Sequence, residues 1–274
     1  MKTILVTGCS TGIGYTCAKG LQARGYRVFA TARKPEDVKR LAAEGFEALV
    51  LDYSDTKTVQ ACAAEVAKRT GGTLYALFNN GAYGQPGAIE DISREVLEAQ
   101  FAANFFGWHE LTNLCLPMLR KNGEGRIVQC SSVLGLVAFK WRGPYNASKF
   151  ALEGLTNTLR LELSNTGIRV VTINPGPIES RFVANAKIAF ERNVDRVNTH
   201  YAAEYEKQLQ RLARGGASRF KLPATAVLDK LILALERKNP RACYYVTFPT
   251  HVAALARRFL PQVLIDRLVT RFSD

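Results

Sequence analysis

The chain has 274 residues, 47% of them hydrophobic, which can bury a sizeable core, and no Pro/Gly/Ser-rich linker or repeat divides it. We therefore expect a single domain over residues 1–274. Its 37 basic residues outnumber its 24 acidic residues, and the formal net charge of +13 suits a phosphate-rich ligand, an anionic membrane or nucleic acid. The basic residues form no Lys/Arg-rich run and no known reading motif, which argues against nucleic acid as a partner.

Seven apolar runs predict β-strands, with helical patterns between them. The runs are residues 4–7, 27–30, 47–51, 74–79, 125–131, 168–173 and 243–247. Such alternation is typical of an α/β fold with a parallel sheet covered on both faces. We predict a Rossmann-type doubly wound sheet of about seven strands, with ligands at the carboxyl ends of the strands.

A glycine-rich turn follows the first strand directly. Residues 8–14 read GCSTGIG, and a helical pattern then continues through Ala23 and stops at Gly25. Glycines let the backbone approach a pyrophosphate closely, and the helix N-terminus adds unpaired N–H donors. A simple tight loop is the alternative, because the spacing is not the commoner G-x-G-x-x-G. The residues of this turn that are candidates for binding a dinucleotide are Gly8, Ser10, Thr11, Gly12, Ile13 and Gly14.

A second pattern predicts acid–base chemistry. Tyr145 and Lys149 stand four residues apart, and Ser132 lies 13 residues before the tyrosine. Two other tyrosine–lysine pairs share the spacing, but neither has a serine at that distance. A phenol exchanges a proton with a carbonyl oxygen near neutral pH only if a nearby cation favours its phenolate, and a second hydroxyl can hold that oxygen.

Together these motifs resemble those of the short-chain dehydrogenases/reductases, over about residues 2–182. Residues 79–82 (NNGA) resemble the family's Asn-Asn-Ala-Gly box, with Gly81 and Ala82 in reversed order, which puts only the local backbone geometry in question. Residues 143–155 (GPYNASKFALEGL) look most like hydroxysteroid dehydrogenases of the 17-beta class and bacterial NADP-dependent aldehyde reductases. The further cofactor contacts that the resemblance implies are Asn79, Gly81, Pro175, Gly176 and Ile178, with Tyr145 and Lys149.

The resemblance implies reversible hydride transfer, with Tyr145 giving the proton to the carbonyl oxygen and Ser132 orienting that oxygen. Lys149, one helical turn from Tyr145, would lower the pKa of the phenol and hold the nicotinamide ribose. Asn104 would anchor a water-mediated proton relay to Lys149. The alternative for Asn104 is an amide that bends or pins its helix by bonding to the backbone.

The charge after the second strand favours NADP(H) over NAD. An acid there would bind the ribose hydroxyls, but the first acid is Glu36. Arg33 should instead face a 2'-phosphate, with Ser10 adding a hydroxyl; a solvated Arg-Lys pair is the alternative. The resemblance also implies that Asp52 caps the adenine amino group, although Asp52 could be an ordinary turn or helix cap.

The substrate is expected to be an apolar aldehyde or ketone. A substrate lid over about residues 179–222 carries aromatic side chains, and the residues after Ser132 could line the pocket or belong to the core. A steroid or retinol dehydrogenase is the alternative within the enzyme class, and a catalytically idle NADP-binding sensor is the alternative outside it. The residues concerned are Phe182, Phe190, Tyr201, Tyr205 and Phe220 in the lid, and Leu134, Leu136, Val137 and Phe139 after the serine.

Residues 251–272 predict two short amphipathic helices hinged at Pro261. Such helices pack on their own protein, on a partner subunit or on a membrane surface, and all three remain open. Resemblance implies a homodimer or homotetramer, paired through the helices bearing Asn104 and Tyr145.

The six cysteines form no C-x-x-C pair, and the three histidines are far apart in the chain, so we expect no metal. No segment reaches the ~20 apolar residues of a membrane-spanning helix, and the first apolar run is too short for a signal peptide. We therefore expect a reduced, cytoplasmic protein, with peripheral membrane contact as an open possibility.

Overall fold

A computed structural model of the protein describes residues 1–213 and 220–273. Within them, seven strands form one parallel sheet in the order β3-β2-β1-β4-β5-β6-β7. The predicted α/β fold with a doubly wound sheet is confirmed, and each predicted run overlaps its strand with ends that differ by at most two residues. The strands are β1 Thr3–Val6, β2 Arg27–Ala32, β3 Glu47–Val50, β4 Ala76–Asn79, β5 Gly125–Cys130, β6 Ile168–Asn174 and β7 Cys243–Tyr245.

Helices cover both faces of this sheet. The chain runs from β1 to β3 in one direction along the sheet and from β4 to β7 in the other, so right-handed crossovers would place α1 and α2 on one face and α3, α5 and α6 on the other. In agreement, α3 packs beside α5, and α9 packs beside α1. The central strands β1 and β4 are largely apolar because both of their faces are buried. The helices are α1 Gly12–Ala23, α2 Pro35–Ala43, α3 Thr56–Thr70, α4 Arg94–Phe101, α5 Gly107–Lys121, α6 Gly143–Glu162, α7 Phe182–Asn193, α8 Ala202–Ala213, α9 Thr225–Glu236, α10 Phe248–Phe259 and α11 Gln262–Ser273.

The predicted lid contains two helices, α7 and α8. Phe190 and Tyr205 from these helices form a small apolar cluster with Ala88 and Val194, separate from the main core. Residues 214–219 of the predicted lid lie outside the described residues. The described part of the lid therefore packs around its own small apolar cluster, beside the main core of the sheet.

Two helices at the C-terminal end flank Pro261, as the hydrophobic pattern predicts, although α10 begins at Phe248 rather than at residue 251. Ala253 of α10 and Ile265 of α11 pack on Val137, in the loop that follows β5. None of the helices in the described ranges is both long enough and apolar enough to span a bilayer.

Candidate active site

The glycine-rich turn after β1 has the backbone geometry that its sequence predicts. Gly8 and Gly12 have φ values of 68° and 60°, in the left-handed region that favours glycine. A Cβ on Gly8 would lie 2.6 Å from the Cα of Gly81, and a Cβ on Gly14 would lie 2.2 Å from the carbonyl oxygen of Gly8. Glycine is therefore needed here both for the turn and for the close approach of neighbouring backbone.

The turn leads into α1 with the helix N-terminus facing the carboxyl edge of the sheet. Thr11 is the N-cap, in extended conformation, and its side chain makes no capping hydrogen bond. The turn is tied to β2 because the amide of Cys9 donates to the carbonyl of Thr31 over 2.7 Å. Uncapped N–H groups at a helix start attract anions, so this cradle fits the pyrophosphate of a dinucleotide. Ile13 packs on the core behind it.

Arg40 stands beside this turn, and sequence reasoning missed it. This residue of α2 donates to the carbonyl of Ser10 over 2.6 Å and forms ion pairs with Asp37 and Glu44. Its place on the helix that follows Arg33 was the signal that could have found it. Arg33 itself follows β2 and is exposed. Contact of Arg33 with a 2'-phosphate stays a prediction.

Asp52 and Asn79 are both engaged by the protein itself. The Asp52 carboxylate accepts a hydrogen bond from the amide of Ser54 at 2.9 Å, which is the turn role that the sequence left open. The side-chain oxygen of Asn79 accepts from the Tyr53 hydroxyl at 2.5 Å, and its amide nitrogen donates to Thr112 at 3.0 Å. The predicted adenosine contacts of these two residues stay predictions.

The asparagine box after β4 is held by Thr7. The Thr7 hydroxyl accepts from the backbone amides of Asn80 at 2.8 Å and Gly81 at 3.2 Å. A Cβ on Gly81 would come only to 3.4 Å from Gly8, which is ordinary contact. The reversed Gly81-Ala82 order is therefore compatible with the turn. The Trp108 indole also donates to the Gly81 carbonyl, at 2.9 Å.

The structure brings Ser132, Tyr145 and Lys149 together, as predicted. Ser132 follows β5, and its hydroxyl accepts from the amide of Leu134 at 3.1 Å and is hydrogen-bonded to Tyr145. Tyr145 and Lys149 lie on the buried face of α6. The Lys149 ammonium is 5.7 Å from the centre of the Tyr145 ring and donates to the carbonyl of Cys130 over 2.9 Å.

Burial controls the titration of this group. It lowers the pKa of Lys149 from 10.5 to about 8, against the opposing charge of Glu153. Burial also raises the pKa of the Tyr145 phenol above its ordinary value, and the hydrogen bond with Ser132 only partly offsets this. The Lys149 ammonium is bound to the Cys130 carbonyl rather than to the phenol oxygen. That its charge lowers the pKa of the phenol against the effect of burial stays a prediction.

Asn104 lies in a π-helical turn, Ala102–Phe106, between α4 and α5. Its side-chain amide donates to the Tyr83 carbonyl at 2.8 Å and its oxygen accepts from the Tyr83 amide at 3.2 Å. The same nitrogen is 3.3 Å from the hydroxyl of Ser148, one residue before Lys149. The Asn104 side chain is thus bonded to backbone groups, as the alternative for this residue predicts. Its part in a proton relay to Lys149 stays a prediction.

Residues after β6 support the serine loop. The Pro175 carbonyl accepts from the amide of Val133 at 2.8 Å. The Asn174 side chain donates to the Ser132 carbonyl at 3.3 Å and to the Glu153 carboxylate at 2.5 Å. Sequence reasoning missed Asn174, Glu153 and Trp108; the i, i+4 spacing of Tyr145, Lys149 and Glu153 was the available signal for one of them.

Gly176 and Ile178 position the entrance to the lid. A Cβ on Gly176 would lie 2.1 Å from the hydroxyl oxygen of Thr247, so only glycine fits there. Ile178 forms a β-bridge with Leu222 and is half-buried. Contacts of Pro175, Gly176 and Ile178 with a nicotinamide stay predictions.

The lid helix α7 begins on top of the candidate catalytic tyrosine. The ring of Phe182 stands edge-on to Tyr145, with centroids 5.2 Å apart. Val137 and Phe139 instead pack against the C-terminal helices, so the core alternative describes them better than a pocket wall. In residues 1–213 and 220–273, no three His, Cys, Asp or Glu side chains are grouped to hold a metal ion.

Comparison with known proteins identifies the class. Residues 2–189 match the family model of the short chain dehydrogenases. The chain belongs to the short-chain dehydrogenase/reductase family and is an oxidoreductase that uses a nicotinamide cofactor.

Three relatives cover almost the whole chain. The chain is 40% identical to the uncharacterized oxidoreductase YbbO of Escherichia coli over 98% of its own length and 94% of the relative's. It is 31% identical to the NADPH-dependent 3-dehydrocapnine reductase of Ornithobacterium rhinotracheale, over 98% and 96% of the two chains. It is 28% identical to retinol dehydrogenase 16 of Rattus norvegicus, over 97% and 87%.

Solved structures agree with the fold. A short-chain dehydrogenase from Streptomyces avermitilis superposes with a TM-score of 0.81 at 28% identity, covering 100% of this chain and 98% of that one. A short-chain dehydrogenase/reductase from Burkholderia phymatum in complex with NAD gives a TM-score of 0.77 at 27% identity, over 97% and 95%.

Proposed function

We propose that the protein is an NADPH-dependent reductase of apolar aldehydes or ketones, working reversibly on the corresponding alcohols. The observation that carries the proposal is the convergence of Ser132, Tyr145 and Lys149 at the carboxyl edge of the sheet, beside the glycine cradle. Bound NADPH would supply the hydride. The glycine turn and the start of α1 would hold its pyrophosphate, and Lys149 its nicotinamide ribose.

Tyr145 would deliver the proton. Because burial raises the pKa of its phenol, the hydroxyl is protonated at neutral pH and can donate to a carbonyl oxygen. The Ser132 hydroxyl, fixed by the Leu134 amide, would hold that oxygen in place. The buried Lys149 ammonium would stabilise the negative charge that remains on the phenolate.

Charge near the cradle supports NADPH rather than NADH. Arg33 stands after β2 where an acid would select NAD, and Arg40 adds a second cation bound to the turn through the Ser10 carbonyl. One relative is NADPH-dependent by name.

Aromatic lining supports an apolar substrate. Phe182 covers Tyr145, and aromatic residues of α7 and α8 form the cluster behind it. The similarity to retinol dehydrogenase 16 favours retinoids as a second substrate class, and steroids remain a further alternative. A catalytically idle sensor is disfavoured because Asn104, Ser132, Tyr145 and Lys149 are all chemically competent.

A single screen tests the proposal. Purified protein would be given NADPH or NADH together with aliphatic aldehydes, aromatic aldehydes, retinal or ketosteroids, and the loss of reduced-cofactor absorbance followed. We expect turnover with NADPH and at least one apolar carbonyl. Cofactor binding by fluorescence without turnover on any of these substrates would support the sensor instead.

We further propose a homo-oligomer paired through the helices that carry Asn104 and Tyr145. Phe106, Leu114 and Phe150 expose apolar side chains on or beside α5 and α6. Light scattering after size-exclusion chromatography tests this: Leu114→Glu should reduce the molar mass, whereas a wild-type mass of one chain would refute it.

A further inference from the structure

The outer face of α10 carries a continuous apolar stripe. Phe248, Val252, Leu255 and Phe259 are spaced by four, three and four residues, which puts them on one side of a helix. Their exposed fractions are 66%, 46%, 59% and 71%. Large apolar side chains aligned in this way on the surface mark an interaction site more often than isolated ones do.

The opposite face of α10 fixes how the helix is rotated. Thr250 and Ala253 are buried, and the Thr250 hydroxyl lies 3.0 Å from that of Thr247. Arg257 donates to the carbonyl of Gly135 over 3.1 Å, in the loop that follows Ser132. The outward stripe therefore cannot turn into the core without breaking these contacts.

The second helix adds exposed apolar side chains of its own. In α11, Ile265 is buried against Val137, while Val263 and Leu268 are exposed. At the other end of α10, the ring of Phe220 lies 5.6 Å from that of Phe248 and widens the patch. The continuous apolar stripe thus belongs to α10.

Charge selects what this surface binds. Residues 248–273 contain four arginines and only one acid, Asp266. All four arginines are exposed, and Arg257 also binds the carbonyl of Gly135. A second copy of the chain docked by two-fold symmetry would bring these arginines against each other, whereas anionic lipid head groups would neutralise them.

We propose that the outer face of α10 binds an anionic lipid surface, with α10 lying in the interfacial plane. The apolar stripe enters the boundary between head groups and acyl chains, and the arginines contact the head groups. The inner face of α10 contacts the loop after Ser132, through Arg257 and the carbonyls of Gly135 and Leu136. Only the thickness of α10 would therefore separate the bound lipid surface from this loop. An apolar substrate dissolved in the bilayer would then be concentrated beside the site.

The proposal is tested on the full chain with vesicles, independently of turnover. Flotation would compare vesicles of phosphatidylcholine alone with vesicles containing about 30% phosphatidylserine. We expect binding to the anionic vesicles, at least about tenfold weaker binding to the neutral ones, and loss of binding at high salt. The double variant Leu255→Ser/Phe259→Ser should lose binding, while the matched control Leu161→Ser, at another exposed apolar position on α6, should keep it.

A second variant keeps the test decisive if the double variant folds poorly. Phe259→Trp retains an aromatic ring at the most exposed position of the stripe, and its fluorescence should shift to the blue with anionic vesicles. Three results would each overturn the proposal. In the first, the wild type and Leu255→Ser/Phe259→Ser bind vesicles equally, and in the second, the wild type fails to bind anionic vesicles at low salt. In the third, the wild type binds no vesicles and the double variant loses oligomeric mass. The last result would identify a second copy as the occupant. Because no readout uses NADPH, a failure here is distinct from a failure of the proposed reductase activity.

Discussion

The ammonium of Lys149 lies 4.2 Å from the centre of the Trp108 indole ring. Both side chains are almost completely buried. The aromatic face and the Cys130 carbonyl therefore solvate a cation that water cannot reach. This solvation is incomplete, and the pKa of Lys149 falls to about 8.

The first prediction concerns pH. Carbonyl reduction should have a level kcat/KM below about pH 8 and fall above it, as Lys149 loses the charge that stabilises the phenolate. A pH profile of kcat/KM with NADPH saturating measures this. A profile that shows no decline up to about pH 10, where an ordinary lysine still holds its proton, would contradict the assignment.

The same shift makes a second prediction, on stability. The folded pKa of Lys149 lies below the ordinary value of 10.5, so between about pH 8 and 10.5 the unfolded chain binds more protons. This group therefore makes the free energy of unfolding rise with pH across that window. Tyr145 acts in the opposite direction, but only above its ordinary pKa of 10. Urea unfolding at several pH values should show that the difference in the free energy of unfolding between wild type and Lys149→Met increases across this window. Buried thiols such as Cys9 and Cys62, whose pKa values burial raises from 9.0, act in the opposite direction in both proteins and cancel in that difference.

A third prediction makes Glu153 a positioning residue. Its negative charge raises the pKa of Lys149, and its carboxylate binds Asn174. Glu153→Gln keeps an oxygen for that hydrogen bond but removes the charge, so the alkaline limb of the kcat/KM profile should move to lower pH. Glu162→Gln, at the exposed end of α6, is the matched control and should leave the profile unchanged. A purely structural role for Glu153 would lower activity equally at all pH values.

Tyr145→Phe gives a fourth prediction. Loss of the phenol proton should reduce kcat by about 10²- to 10⁴-fold, the usual contribution of general acid catalysis, with little change in NADPH affinity. Tyr15→Phe is the control, because Tyr15 has a lysine at the same spacing but its hydroxyl binds Glu44 instead. Stopped-flow turnover and fluorescence titration separate the two effects. Retained turnover in Tyr145→Phe would reject the tyrosine as proton donor.

Local sequence patterns predicted the sheet, the glycine turn and the grouping of Ser132, Tyr145 and Lys149, because each depends on periodicity or short spacing. Trp108 could not be found in this way: it meets Lys149 only after α5 and α6 come together on one face of the sheet. The rise in the pKa of Tyr145 could not be predicted for a related reason, since it depends on burial and on the hydrogen bond with Ser132. The role of Asp52 could not be decided from the sequence either, because a carboxylate between a strand and a helix suits both a turn and an adenine contact.

The last prediction tests whether the glycine turn is built for a dinucleotide. In Gly14→Ala the new Cβ would lie 2.2 Å from the Gly8 carbonyl oxygen, so the backbone of the turn must shift. We expect a loss of about 1–3 kcal/mol in the free energy of unfolding and much weaker NADPH binding. Gly154→Ala, inside α6 with no atom within 4 Å of the new Cβ, is the matched control and should stabilise the fold by about 0.5–1 kcal/mol. Thermal unfolding with and without NADPH measures both effects. Unchanged NADPH stabilisation in Gly14→Ala would mean that the cofactor binds without this turn.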